Sequence, residues 1–166
     1  MGAFGYLPLY LEGIGWSVTS IGGVVATRGA AAMIAAIPIA MLSDRLGTRK
    51  KIMIFATIVI AVAITVLPFL SGSMIWVAVI IAGLPMTGYL GLMVTVSTET
   101  EGVGIYAGTA MGLVLTIFRL GGIIAPPLGL SLAETNPKFA FFVWAAMAVA
   151  GLIGLLFVKD TGPRRG

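Results

Sequence analysis

Ala40-Met41-Leu42-Ser43-Asp44-Arg45-Leu46-Gly47-Thr48-Arg49-Lys50-Lys51-Ile52 is the richest charged stretch of the chain, and it lies between two long apolar ones. Residues 18–42 before it carry one charge, Arg28, and residues 52–70 after it carry none. A hydrocarbon core of about 30 Å needs around 20 apolar residues in a helix, so each flank is long enough to span a bilayer. The charged stretch is then the turn between two spans. Gly47 permits a tight turn, and Asp44 can face a helix N-terminus or a nearby arginine. Arg49 to Lys51 fall at head-group level.

The same pattern continues outward. Residues 74–96 and 139–158 carry no charge, and residues 108–130 carry only Arg119. Residues 2–11, GAFGYLPLYL, are apolar but supply about half a span at roughly 1.5 Å per residue. They lack the basic start and small-residue cleavage site of a signal peptide. One reading is a short surface-lying helix; the favoured one is the second half of a helix that starts before this chain. The connections, 12–17, 43–51, 71–73, 97–107 and 131–138, leave no room for an extramembrane domain. The expected fold is an all-α integral membrane protein, a single bundle of five full transmembrane helices and one partial helix, with residues 159–166 as a tail.

Composition agrees. Of 166 residues, 59% are hydrophobic and 10% are charged, and the mean hydropathy is +1.11. Soluble domains are roughly 45–50% apolar and about 25% charged. No Cys excludes disulfides, a thiolate nucleophile and Cys-ligated clusters. No His removes the commonest metal ligand and general base. No paired carboxylates or nucleophile–base set appears, so no enzyme, metal site, cofactor or nucleic-acid partner is expected.

Charge placement orients the bundle by the positive-inside rule. Alternating the sides groups 43–51, 97–107 and the tail together, with Arg45, Arg49, Lys50, Lys51, Lys159, Arg164 and Arg165. The opposite side holds only Lys138. The basic side, with the C-terminus, is expected to be cytoplasmic in a plasma or inner membrane. The loop with Glu99 and Glu101 departs from the bias.

The opening stretch resembles the signature loop of the major facilitator superfamily, Gly-x-Leu-Ala-Asp-Arg-x-Gly-Arg-Lys-x-x-Leu. Leu42, Asp44, Arg45 and Gly47 match it, Arg49 stands for Lys and Ile52 for Leu. Ala40, Ser43 and Thr48 depart from it, which leans toward the weakened copy in the second half of such proteins. Gly112, Gly121, Ala125, Pro126 and Gly129 resemble the family's glycine-and-proline motif in the fifth helix of a half, with Ala125 and Leu130 replacing glycines. Gly121 and Ala125 form a small-xxx-small face, and Pro126-Pro127 breaks the backbone ladder and kinks the helix. Generic helix packing is the alternative reading of that pattern. The Lys159-Asp160-Thr161-Gly162 tail is similar to the usual end after the last helix. The resemblance implies the C-terminal six-helix half of a secondary transporter, N-terminally truncated, whose partner is a complementary N-terminal half; a truncated first half is the alternative.

Arg28 and Arg119 lie near the middle of their spans. A central Arg costs about 2.5–3.5 kcal/mol even on the lenient insertion scale, so each should face a wet cavity or a partner. No Asp or Glu falls at that depth in the chain. Arg28 shares a helix face with Val24, Ala31, Ala32 and Ala35, and Arg119 with Gly112, Leu115, Thr116 and Ile123. The two arginines either attract an anionic substrate or pair with groups of the other half. Family members that carry nitrate, oxalate or monocarboxylates resemble this, with cationic residues in corresponding helices. Arg28, Arg119, Thr116 and Tyr89 are the candidate substrate-binding residues. Asp44, Arg45, Gly47 and Arg49 are the candidate gating loop. Gly83, Pro85, Gly88 and Gly91 suggest a gate, a bend or packing, and Tyr6, Tyr10 and Trp16 an aromatic belt. Glu12, at the outer edge, reads as a solvated loop residue, with a proton-linked acid as the alternative.

The expected function is alternating-access transport of a small anionic solute across the lipid bilayer. The alternatives are a multidrug or cation–proton antiporter of the same superfamily, or an inactive fragment or structural subunit that needs a partner half.

Overall fold

The computed structural model describes residues 2–99, 102–134 and 136–158, with only the backbone of Asp44 and Glu99. Glu101 and the tail from Lys159 lie outside the described residues. The described chain forms α1 (Gly2–Gly13), α2 (Val18–Leu46), α3 (Arg49–Val66), α4 (Ser73–Glu99), α5 (Ala107–Ala133) and α6 (Phe139–Phe157), with short 3₁₀ turns at Leu67–Phe69 and Gly104–Tyr106. Five of the helices are long and apolar enough to cross a membrane.

Helix ends explain where the spans stop. Ser17 caps α2, its hydroxyl accepting from the Ser20 N–H at 3.2 Å. The α2 helix runs beyond residue 42 to Leu46, because Gly47 takes the left-handed conformation (φ 61°, ψ 20°) and its N–H donates to the Ser43 carbonyl at 3.1 Å. Only glycine adopts that backbone without strain. Asp44 and Arg45 therefore lie in the last turn of α2, and the open connection shrinks to Gly47 and Thr48. A cation in a last helical turn meets the negative end of the helix dipole, and Arg45 occupies that place. At the other end of α3, Pro68 sits in the 3₁₀ turn and Gly72 turns the chain (φ 57°) into α4.

Helix α2 packs mainly on α4, α3 on α6 and α4, and α1 on α5. The main core gathers Leu7, Leu11, Val24, Leu67, Ile75, Val79 and Phe141, all essentially excluded from solvent. Helix α1 is embedded rather than surface-lying: Leu7 is 1% and Leu11 0% exposed. Tyr6 and Tyr10 do not form a lipid-facing belt. Both point inward and pack against Phe141, Tyr6 tilted and Tyr10 edge-to-face, with ring centroids 5.7 and 4.8 Å away. The outward surface is apolar instead, with Met33, Ile34 and Ile37 of α2 exposed by more than two-thirds. Such a surface is tolerated in lipid, not in water. Several threonines within the spans bond their hydroxyls back to the preceding turn, as Thr57 does to the Met53 carbonyl at 2.8 Å and Thr65 to Ala61 at 2.8 Å. Those hydroxyls are thereby satisfied inside their own helix.

Glycines set the close approaches. A Cβ on Gly88 would fall 2.6 Å from Ile39 Cγ2, and one on Gly23 would fall 2.8 Å from the Trp76 ring, both across the α2–α4 seam. On α5 the tight contact is Gly129, whose added Cβ would lie 2.7 Å from Tyr6 Cδ2, beside Ala125 at 2% exposure. The small-xxx-small contact within the bundle is thus Ala125–Gly129, one turn beyond the Gly121–Ala125 pair. Gly112 and Gly121 meet nothing within 4 Å. Pro126 reaches toward Gly5, and α5 stays helical through both prolines.

Two glycines of α4 make a paired test. Gly88→Ala should destabilise by about 1–3 kcal/mol through overpacking against Ile39. Gly91→Ala, with nothing within 4 Å, should be neutral or stabilising by up to about 1 kcal/mol from helix propensity. Thermal unfolding of both variants in the same detergent checks the sign of each.

Candidate functional site

The α2–α4 seam places the site. Gly83 of α4 lies against α2 where a Cβ would meet both the Arg28 carbonyl oxygen and Arg28 Cγ at 2.9 Å. The absence of a side chain there brings the root of Arg28 onto α4. The guanidinium then reaches across α4 to α1. Its Nη1 donates to Met86 Sδ at 3.4 Å, and its Cζ stands 4.9 Å from the centre of the Phe4 ring. A cation over an aromatic face is attracted by about 0.5–2 kcal/mol, more as water is excluded. Phe4 itself is 7% exposed, so the ring is a fixed wall.

Beside this group lies a half-open cleft of about 270 Å³. Helix α2 contributes Arg28, Gly29, Ala32 and Met33; α4 contributes Met86, Thr87 and Leu90; α5 contributes Phe118. Arginine carries five N–H donors, of which one is engaged by Met86. Among the described residues the rest of the fork has no hydrogen bond or ion pair, and neither has the Thr87 hydroxyl. Asp44, on the same helix, is sixteen residues away, or about 24 Å along the axis. The site therefore holds a half-buried cation and a free hydroxyl facing a mostly apolar cleft.

The other candidates separate. Arg119 lies next to Phe118 in sequence, but on the exposed face of α5 and outside the cleft lining. Thr116 shares that face, and its hydroxyl donates to the Gly112 carbonyl at 2.8 Å. Its proton is used, so it presents an acceptor outward. Tyr89 packs against the separate cluster of Met53, Leu92 and Val96, away from the cleft. Phe4, Met86 and Thr87 were not legible as site residues in the sequence. Only depth along each helix could have paired them with Arg28, and the helix-to-helix register was unknown. Gly83 was visible, and it acts in packing, as does Gly88; Gly91 is open.

The basic turn is anchored elsewhere. Lys50 Nζ donates to the Leu156 carbonyl at 2.7 Å, tying the start of α3 to the end of α6. The last carbonyls of a helix have no partner within it. Arg49 is buried at the head of α3, and Arg45 is exposed. Lys50→Met should cost at least about 0.5–1.5 kcal/mol, the net worth of its hydrogen bond to Leu156. A lowered midpoint of thermal unfolding, reproduced by Lys50→Gln, would carry this.

A helical bundle with five helices long and apolar enough to span defines a polytopic membrane protein. The model of the Major Facilitator Superfamily matches residues 1–166, and the chain belongs to that family. It is a multi-pass membrane transporter rather than an enzyme. No curated protein matches the chain.

Gly83→Ala tests how the site is built. It should destabilise the bundle by about 1–3 kcal/mol, because the Arg28 carbonyl oxygen, which lies as close to the new methyl as Arg28 Cγ does, is backbone and cannot rotate away. Met86→Leu, close in volume, should cost less than about 1.5 kcal/mol. Thermal unfolding in detergent distinguishes the two.

Proposed function

We propose that the chain transports a small anionic solute and that Arg28 is its principal ligand. The observation that carries this reading is the guanidinium itself: it is half-buried, opens on the cleft and has no carboxylate partner among the described residues. An unpaired charge in such a place is costly, and an anion of matching geometry offsets that cost. Arginine suits the task because its planar fork grips carboxylate and similar oxyanions through two parallel bonds. Arg119, at corresponding depth on α5, adds a second positive potential on the exposed face of the bundle.

In this reading the bundle is the C-terminal half of the transporter and works against a complementary N-terminal half. The cleft is exposed to alternate sides as the halves rock about the central site. The Asp44–Arg49 turn lies on the cytoplasmic side of the plasma or inner membrane, with the C-terminus, and sets the balance between the two states. The open side of the cleft and the apolar faces of α2 and α5 suit such a partner.

Uptake of radiolabelled small anions into proteoliposomes, measured with this chain and a complementary half together, tests the reading. Arg28→Ala should lower uptake by about thirtyfold or more, corresponding to about 2 kcal/mol or more for removing one side of a desolvated ionic contact. Arg28→Lys should fall between, since a point charge replaces the fork. Unchanged uptake in both variants would remove Arg28 from the binding site.

A further inference from the structure

We propose that the cleft selects organic monoanions with an apolar body, of the aromatic monocarboxylate kind, over inorganic oxyanions and dicarboxylates. This rests on the reading of Arg28 as the anion ligand and narrows it to a chemical class.

The lining decides the class. Arg28 is its only charged residue, and Thr87 carries its only other polar side chain. The remaining walls are Met33, Met86, Leu90 and Phe118, with Gly29 and Ala32 leaving room between them. The backbone N–H groups here belong to continuous helices and are consumed within them. A hydrated ion such as nitrate or sulfate would lose water wherever it meets the walls of this half-open cleft and recover hydrogen bonds only from Arg28 and Thr87. The faces turned to methionine and leucine would go unsatisfied, and that loss opposes binding. A dicarboxylate has the same difficulty at its far end, where no second cation lines the cleft. A monocarboxylate with a ring or branched chain places its charge on the fork and its carbon against the apolar walls.

Arg28 Cζ stands 4.9 Å from the centre of the Phe4 ring, a contact that uses none of the guanidinium N–H donors. The donors not engaged by Met86 are left for a carboxylate. Size points the same way: about 270 Å³ is slightly below the roughly 300–1,000 Å³ of pockets that hold drug-sized ligands. It suits a molecule of the dimensions of benzoate. Methionine walls adapt to such a body and favour contact with an aromatic ring.

Binding of radiolabelled benzoate to the full chain in lipid nanodiscs tests the proposal. Unlabelled nitrate, succinate and the neutral analogue benzamide serve as competitors. The expected result is that each competes at concentrations at least about tenfold higher than unlabelled benzoate, the usual discrimination from a few apolar atoms. Phe118→Ser should weaken benzoate several-fold and leave nitrate unchanged. Arg28→Gln should abolish benzoate binding, and Arg28→Lys should retain part of it, which separates loss of the ligand from loss of the fold. If nitrate or succinate competes as well as benzoate and Arg28→Gln abolishes all binding, the anion site stands and its proposed selectivity is wrong. If benzoate does not bind the folded chain, the proposed selectivity is wrong; if it binds equally to Arg28→Gln, Arg28 is not the anion ligand and the selectivity falls with that reading.

Discussion

A guanidinium near the middle of a membrane span is the constraint on which the rest of the arrangement depends. Left in hydrocarbon, it would oppose insertion of α2 by a few kcal/mol. The fold answers with three contacts from two other helices. Gly83 admits the Arg28 backbone, Met86 accepts from Nη1, and Phe4 places its ring under Cζ. None of these neutralises the charge. They hold it in one position, with most of its donors turned to a cleft. The glycine seam of α2 and α4 is therefore more than packing, because its closeness sets where the cation sits.

The embedding of α1 follows from the same geometry. Phe4 can reach Arg28 only if α1 lies inside the bundle, and its tyrosines and leucines bury it there against α5 and Phe141. Ala125 and Gly129 on α5 give it room, with Tyr6 in the space that a larger residue at 129 would occupy. Two sets of small residues, on α4 and on α5, thus cooperate in placing Arg28 and Phe4 against each other. The outward face of α2 carries Ile34 and Ile37, and Met33 marks where that face meets the open side of the cleft.

Much of this was legible in the sequence, and for a physical reason. Spans are announced by the absence of charge over about 20 residues, which no other structure tolerates as well. The Asp44–Arg45–Leu46–Gly47 stretch identified the turn, although α2 persists to Leu46 because Gly47 caps it from outside. Arg28 stood out because charge is costly where it lies. What stayed hidden depends on which helices touch. Tyr6 and Tyr10 read as interfacial because they lie near the expected outer surface, yet they are core. Tyr89 and Thr116 read as cavity hydroxyls, while the free hydroxyl beside Arg28 belongs to Thr87. A hydrophobic period states which face is apolar; in a bilayer every face is apolar, so the pattern that orients soluble helices is missing.

The central claim is that a wet, positively charged cleft lies at mid-span between α2 and α4. Because the chain contains no cysteine, single cysteines can report on it without background. Only a thiolate reacts with thiol reagents, and it forms only where water reaches it. The decisive measurement is the labelling rate of Thr87→Cys in membranes by paired anionic and cationic membrane-impermeant reagents, with Val62→Cys on the apolar outer face as the reference. The account predicts that Thr87→Cys is labelled, faster by the anionic reagent, that Arg28→Gln removes this preference, and that Val62→Cys stays unlabelled. A Thr87→Cys as inert as Val62→Cys, or one labelled equally by both charges with Arg28 in place, would contradict it.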